Sequence, residues 1–312
     1  MKAALVRRYG DATEVEIADM PDPVPGPHQV LIRVRASSLN PLDVKLRAGD
    51  LRWVMPLGFP AVLGFDLAGE IEAVGASVSG WSPGERVYGR TDARTGGAHA
   101  QRAAVGASVI DRIPEGLGFE EAASLPLVAM TALQGFRQAA LKAGDRIVIN
   151  GASGGVGCAA VQIARAMGAE VSGVCRTDAA DLVTRLGASV VDYSKGDLGR
   201  LRQRFDVILD AVHSDLTPEL ERVLESRGGY VSTGFSPRLL WRKTFGRLWS
   251  RRRFGFIMSK ADGASLSEVS AMVVDGRLKP VIDSTFPLAR AADAHAKAAR
   301  GHLRGKIVLT HD

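Results

Sequence analysis

Residues 146–168, RIVINGASGGVGCAAVQIARAMG, leave this chain the fewest choices. Ile147, Val148 and Ile149 form a short β-branched run. Gly151, Gly154, Gly155 and Gly157 follow within seven residues, and Val161, Ile163, Ala164 and Met167 then recur at helical spacing. Strand, glycine loop and helix in that order present a helix N-terminus to an anion. First-turn N–H groups have no intrahelical partner and carry partial positive charge, and glycines remove the side chains that would hold a pyrophosphate away from them. Against the dinucleotide fingerprint G-x-G-x-x-G, Ala152 stands in the first glycine's place, Ser153 follows it, Gly154 is second, Gly155 and Val156 intervene, and Gly157 is third. A second strand at residues 170–175 completes a βαβ unit. A glycine turn that only packs a helix closely on a sheet would share part of this pattern. The strand before it and the helix and strand after it favour a nucleotide loop.

The end of that second strand selects the nucleotide. A site for NAD carries Asp or Glu there to bond the ribose hydroxyls. This chain has Cys175-Arg176-Thr177. Arg176 cannot accept a hydrogen bond from a hydroxyl, but its fork of donors grips a 2′-phosphate, which predicts NADPH over NADH. Asp178 opposes this by pairing with Arg176 or turning inward, and the bland alternative is a solvated surface arginine.

The remainder bounds the class. At 312 residues with 46% hydrophobic content, the chain has room for two domains and a sizeable core. Cys158 and Cys175 are its only cysteines, too few for a four-cysteine zinc site or a disulfide framework, which fits a reducing cytoplasm. No stretch approaches the roughly 20 apolar residues of a membrane span, and the first residues lack a signal-peptide core. A net charge of +6 permits attraction to polyanions without specifying one. Residues 2–7 read as a strand, the prolines at 21, 23, 25 and 27 as a loop, and residues 29–36 as a half-buried strand alternating Val30, Ile32 and Val34. Residues 59–89, punctuated by six glycines, read as an all-β module.

GFDLAGEIEAVG and WSPGERVYG in that module, followed by the glycine loop, stand in the order found in the medium-chain dehydrogenase/reductase superfamily, which the chain resembles over essentially its whole length. The resemblance implies an α/β protein. A GroES-like β-rich catalytic domain would span residues 1–122 and a Rossmann doubly wound parallel-sheet cofactor domain residues 123–259. A return segment, 260–312, would complete the first. Zinc alcohol dehydrogenases of the superfamily place a cysteine ligand where this chain has Asn40, and Gly-His-Glu where it has Gly64-Phe65-Asp66. Phenylalanine cannot ligate zinc, residues 91–97 hold none of the structural cysteines, and the six histidines show no ligand spacing, so no metal is expected. SLNPLDVKLRAG and the alanine-initiated loop are instead similar to the zinc-free quinone oxidoreductases, the zeta-crystallin-like branch. FDLAGEIEAVG and FGFIMSKADG look closest to its reticulon-interacting members.

Within that resemblance, residues 125–140 form the helix joining the domains, with Thr131 near the nicotinamide. Tyr193 contacts the adenosine end, and Ala211, Val212, Thr233 and Gly234 line the cofactor. Asn40, Asp43 and Thr131 are the polar groups expected in the pocket between the domains, although Asn40 and Asp43 would equally cap the turn at Pro41. Trp53, Met55 and Phe59 would form an apolar wall or ordinary core. The expected reaction is metal-free hydride transfer from NADPH to a quinone or an α,β-unsaturated carbonyl. The rival is an NADPH-binding protein without turnover, serving sensing or membrane scaffolding. Residues 254–259 are expected to pair across a two-fold axis as a homodimer. Residues 237–253, PRLLWRKTFGRLWSRRR, carry seven cations and no acid, with Trp241, Phe245, Leu248 and Trp249 on an apolar face. The segment reads as a helix packed on its own domain or a dimer partner, or as a peripheral contact with an anionic membrane. Aromatics at helical spacing make nucleic acid a poorer match.

Overall fold

A computed structural model describes residues 1–91, 96–214, 216–245 and 250–311. The chain forms two compact units: Met1–Leu127 with Ala261–Val274 and Pro280–Asp312, and Val128–Lys260 with Asp275–Lys279.

The first unit is β-rich. One antiparallel sheet runs Glu16–Asp19, Lys2–Val6, Ala61–Val62. A seven-stranded sheet runs Ile282–Pro287, Lys306–Thr310, Gln29–Leu39, Asp66–Val74, Arg86–Arg90, Ile110–Arg112, and Arg102–Gly106 also pairs with Gln29–Leu39. Its core holds the alternating Val30, Ile32 and Val34 with Leu67, Ile71 and Val87. The central strand is longer than the apolar alternation implied, continuing past Ala36 to Leu39. Ser37 and Ser38 are fully buried, which the strand tolerates because both hydroxyls are bonded, Ser37 to His311 and Ser38 to Asp66. The helix Pro41–Ala48 follows. Pro41 fits its first turn, the Asp43 carboxylate reaches back to the Asn40 N–H at 2.8 Å, and Gly49 ends it at φ +85°.

The second unit is a six-stranded, wholly parallel sheet. Its order is Ser189–Asp192, Glu170–Cys175, Arg146–Asn150, Phe205–Asp210, Leu224–Ser232, Arg253–Phe256. Strand order reverses between Arg146–Asn150 and Phe205–Asp210, the position at which open α/β sheets bind ligands. In Leu224–Ser232, Leu224 pairs with Phe205 ahead of a register shift, and regular pairing resumes at Gly229 opposite Val207. Asp275–Lys279 belongs to this unit through Gln162, whose side chain bonds the Lys279 N–H at 2.9 Å and its carbonyl at 3.0 Å.

The basic segment forms a helix only over Pro237–Phe245; Gly246, Arg247, Leu248 and Trp249 lie outside the described residues. The helix buries Leu239, and Arg242 grips Glu221 through both terminal nitrogens at 2.9 and 3.0 Å. The strand expected at 254–259 is Arg253–Phe256, an edge of the parallel sheet; four residues past its end the Gln134 side chain bonds the Lys260 N–H and carbonyl, both at 3.0 Å. Among the described residues no helix is long and apolar enough to cross a membrane.

Candidate active site

The glycine loop is shaped by close backbone approach. A Cβ on Gly157 would lie 2.1 Å from the Gly151 carbonyl oxygen and 2.6 Å from Ala152 Cα, so no other residue fits there without displacement. Gly151 has φ +82°, and Gly154 caps the helix Gly155–Ala166 from extended backbone. A Cβ on Gly154 would meet only the Gly151 oxygen, at 3.5 Å, leaving open space over the helix N-terminus. Ala152, in the first glycine's place, is buried, and Gly173 makes room for it: a Cβ there would lie 2.8 Å from Ala152 Cβ. Ser153, Gly154, Gly155 and Val156 form a half-buried rim. These residues fit a pyrophosphate, whose oxygens would meet backbone N–H groups and the positive helix end.

Two further loops meet this one at the carboxyl edge of the sheet. Ala211 donates its N–H to the Asn150 carbonyl at 3.0 Å, and the Val212 side chain stands over Gly151, 2.5 Å from where a Cβ would be. Thr233 donates its N–H to the Asp210 carbonyl at 2.9 Å, and a Cβ on Gly234 would meet the His213 ring. What fixes them was not read from the sequence. The buried Asp210 carboxylate accepts from Asn150 Nδ2 at 3.0 Å, Val212 N at 3.1 Å, Ser214 N at 2.7 Å, Ser214 Oγ at 2.8 Å and Tyr230 Oη at 2.7 Å. Burial and the neighbouring Asp210 push the Tyr230 phenol up, keeping it a donor. An acid ending a strand after an apolar run, FDVILDAV, was the available signal.

At the adenosine end, Arg176 is half exposed and is held by Asp178, Nη2–Oδ2 2.5 Å and Nε–Oδ1 3.3 Å. Tyr193 is exposed. One strand over, Asp192 lies opposite Cys175 in register and accepts from Ser194 N at 3.0 Å, Ser194 Oγ at 2.5 Å and Thr177 Oγ1. The Ser194 and Thr177 bonds pull its carboxyl down to about 2.

The first unit holds a buried polar cluster. Asn40, Asp43, Asp66 and Lys306 are at most 5% exposed. Lys306 Nζ donates to the Leu39 carbonyl at 2.7 Å and Asn40 Oδ1 at 2.6 Å, with Asp66 Oδ2 at 3.5 Å. Asp66 also accepts from Ser38 Oγ at 3.1 Å, Asn40 Nδ2 at 2.9 Å and Leu127 N at 2.9 Å. Asp43 accepts from Asn40 N at 2.8 Å and Gly64 N at 3.0 Å, yet desolvation raises it to about 7; burial likewise lowers Lys306. Thr131, on the helix Pro126–Ala139, is 4% exposed. Trp53 is 87% exposed under Arg52, whereas Phe59 packs edge-on against Tyr9, so Trp53 stands apart from any wall Phe59 forms.

Zinc does not fit this cluster. Phe65 is buried and apolar, Asn40 is bonded through its amide oxygen and nitrogen, and the Asp66 carboxylate already faces an ammonium. Among the described residues no His, Cys, Asp and Glu group is arranged to hold a metal. Residues 92–95 of the expected shortened lobe lie outside the described residues. Nearby, His99, His295 and His311 are buried. Desolvation pushes His99 down to about 4, His311 to about 3 and His295 well below its ordinary value.

A β-rich unit together in one chain with a doubly wound unit whose glycine loop suits a dinucleotide points to the two-domain nicotinamide-dependent oxidoreductases. Residues 26–134 match the family described as alcohol dehydrogenase GroES-like domain, and residues 186–309 that described as zinc-binding dehydrogenase. The chain is 32% identical to the mitochondrial NAD(P)H oxidoreductase RTN4IP1 of Bos taurus, over 91% of this chain and 82% of that protein. It is 30% identical to the chloroplast envelope quinone oxidoreductase homolog of Arabidopsis thaliana, over 96% and 95%. The solved quinone oxidoreductase of Coxiella burnetii superposes with a TM-score of 0.91 at 29% identity, over 99% of each chain. The chain belongs to the medium-chain dehydrogenase/reductase superfamily, in its quinone oxidoreductase branch.

Proposed function

We propose that the protein is a zinc-independent oxidoreductase that prefers NADPH and passes hydride to a quinone or an α,β-unsaturated carbonyl. The observation that carries this is the pairing of an open glycine loop with a metal-ligand region turned into a closed network around Lys306. The nicotinamide supplies the hydride when bound. The loop at residues 151–157 holds the pyrophosphate, Arg176 and Tyr193 take the adenosine end, and Ala211, Val212, Thr233 and Gly234 line the loops beside it. Substrates that are already conjugated and electron-poor need no Lewis acid, because a hydrogen-bond donor or water suffices for the charge that develops on oxygen. Thr131 is the proposed side-chain contact near the nicotinamide. Asn40 and Asp43 act by holding the backbone at Pro41 and Gly64 in place.

The test is loss of reduced-nicotinamide absorbance with 1,4-benzoquinone, 9,10-phenanthrenequinone and a short 2-alkenal, for NADPH and NADH in parallel. Turnover of quinones or the alkenal with NADPH preferred is expected. NADPH binding with no oxidation above the no-enzyme rate would instead support the non-catalytic role. The edge strand Arg253–Phe256 supports a homodimer, which light scattering of the eluting protein checks. For the helix Pro237–Phe245, Arg242 on Glu221 and Lys243 Nζ at 4.4 Å from the Phe256 ring centroid support packing on its own unit. Salt-sensitive sedimentation with anionic liposomes would favour the membrane instead.

A further inference from the structure

We propose that Lys306 is a positioning residue for hydride transfer: its buried ammonium sets Asn40, Asp66 and the first turn of the helix that carries Thr131. The proposal rests on the oxidoreductase function above and assigns a residue to it. An ammonium has three N–H donors. Two point at Leu39 O and Asn40 Oδ1, at 2.7 and 2.6 Å, and Asp66 Oδ2 stands at 3.5 Å.

That geometry fixes the amide of Asn40. With Oδ1 on the ammonium, Nδ2 must face Asp66, which it does at 2.9 Å. Asp66 is thereby held from one side by Asn40, Ser38 and Lys306. Its other oxygen accepts the Leu127 N–H at 2.9 Å, in the first turn of Pro126–Ala139. A carboxylate at a helix N-terminus both satisfies an orphan donor and opposes the positive end of the dipole. Thr131 is four residues beyond Leu127, one turn along the same helix face. The link therefore runs Lys306, Asn40 and Asp66, Leu127, Thr131. Its first three positions include two where metal-dependent members of the superfamily carry ligand-type residues. Here the positive charge comes from the last strand of the first unit, Lys306–Thr310.

Replacing Lys306 with Met leaves a buried carboxylate facing an unpaired amide oxygen and carbonyl, whereas Lys306→Arg keeps the charge. Two measurements distinguish positioning from general support. In Lys306→Met, amide exchange at residues 127–131 should quicken about tenfold while exchange at residues 151–158 stays unchanged. Its kcat with a quinone should fall about tenfold while NADPH affinity stays within about twofold; Lys306→Arg should recover most of both effects. If Lys306→Met does not fold, Lys306→Met/Asp66→Asn removes both charges and is read in its place, with the same expected loss of Leu127 protection. Unchanged exchange at residues 127–131, or a parallel loss of NADPH affinity and of protection in both regions, overturns the proposal. A wild type that turns over no substrate would sink the oxidoreductase function and with it the link to hydride transfer, while the exchange experiment, which needs no turnover, would still decide whether Lys306 sets the helix.

Discussion

In the loop at residues 151–157 the atoms offered to a ligand are backbone N–H groups, whereas in the cluster of Asn40, Asp43, Asp66 and Lys306 they are side chains already bonded to one another. The loop works by leaving space, as at Gly154, where a methyl group would find only one neighbour. The cluster works by filling it. An open backbone site tolerates changes in charge around it but not a change in bulk. A closed network of ionisable groups tolerates neither, and it exposes its own unit to pH.

Acid should therefore separate the two regions most sharply. His99, His295 and His311 have folded values well below the ordinary 6.5, so the unfolded chain binds their protons first and stability is lost as pH falls from about 6.5 toward 4. Asp43 acts oppositely: raised to about 7, it takes up a proton in the fold before the unfolded chain does, which adds stability as pH falls through the same window. With three such histidines against one raised carboxyl, the unfolded state takes up more protons, so stability should fall as pH drops from about 6 toward 4. Urea titrations at pH 7 and pH 5 measure it. An unchanged midpoint at pH 5 would mean that the buried histidines do not govern this unit.

Bulk should break the loop next. Gly157→Ala places a methyl against the Gly151 oxygen at 2.1 Å and should weaken NADPH by about 3 kcal/mol, roughly a hundredfold, with lowered stability. Gly154→Ala meets nothing closer than 3.5 Å and should leave the melting temperature unchanged while still weakening NADPH, because the methyl stands where the pyrophosphate approaches. Calorimetry of cofactor binding beside thermal melts checks both. Equal losses of stability in the two variants would show that the loop serves packing alone.

This contrast also explains what could be read in advance. The loop is contiguous: strand, glycines and helix lie within residues 146–168, and Gly151, Gly157 and Gly168 have a local backbone reason to be there. The cluster draws on residues 38–43, 66, 127 and 306, and nothing in the composition near Lys306 says that its ammonium will meet Asn40, 266 residues away. Ser37 and Ser38 ended the expected strand early for the same reason, since their burial depends on partners at positions 311 and 66. Asp210 lies between these cases. It was visible as the acid closing a strand, but its five donors come from Asn150, Val212, Ser214 and Tyr230, which only the sheet order brings together. Asp210→Ala would strand those donors and should cost about 2 kcal/mol in denaturant stability. A loss confined to NADPH affinity would assign Asp210 to loop placement alone.

The smallest expected effect tests the one place where the open site carries a competing charge of its own. Arg176 lies 2.5 Å from Asp178, and both side chains are substantially exposed. Solvent screens such an exposed pair, so a 2′-phosphate with its larger charge should displace the carboxylate at modest cost. Arg176→Ala should then weaken NADPH about tenfold and NADH hardly at all. Asp178→Asn should strengthen NADPH by about twofold to threefold, again without effect on NADH. Competition titrations with 2′,5′-ADP and AMP isolate this end of the cofactor. If Arg176→Ala weakens both fragments equally, the 2′-phosphate is not recognised by Arg176, and preference for NADPH would have to come from Tyr193 and the Thr177–Ser194 hydroxyls around Asp192.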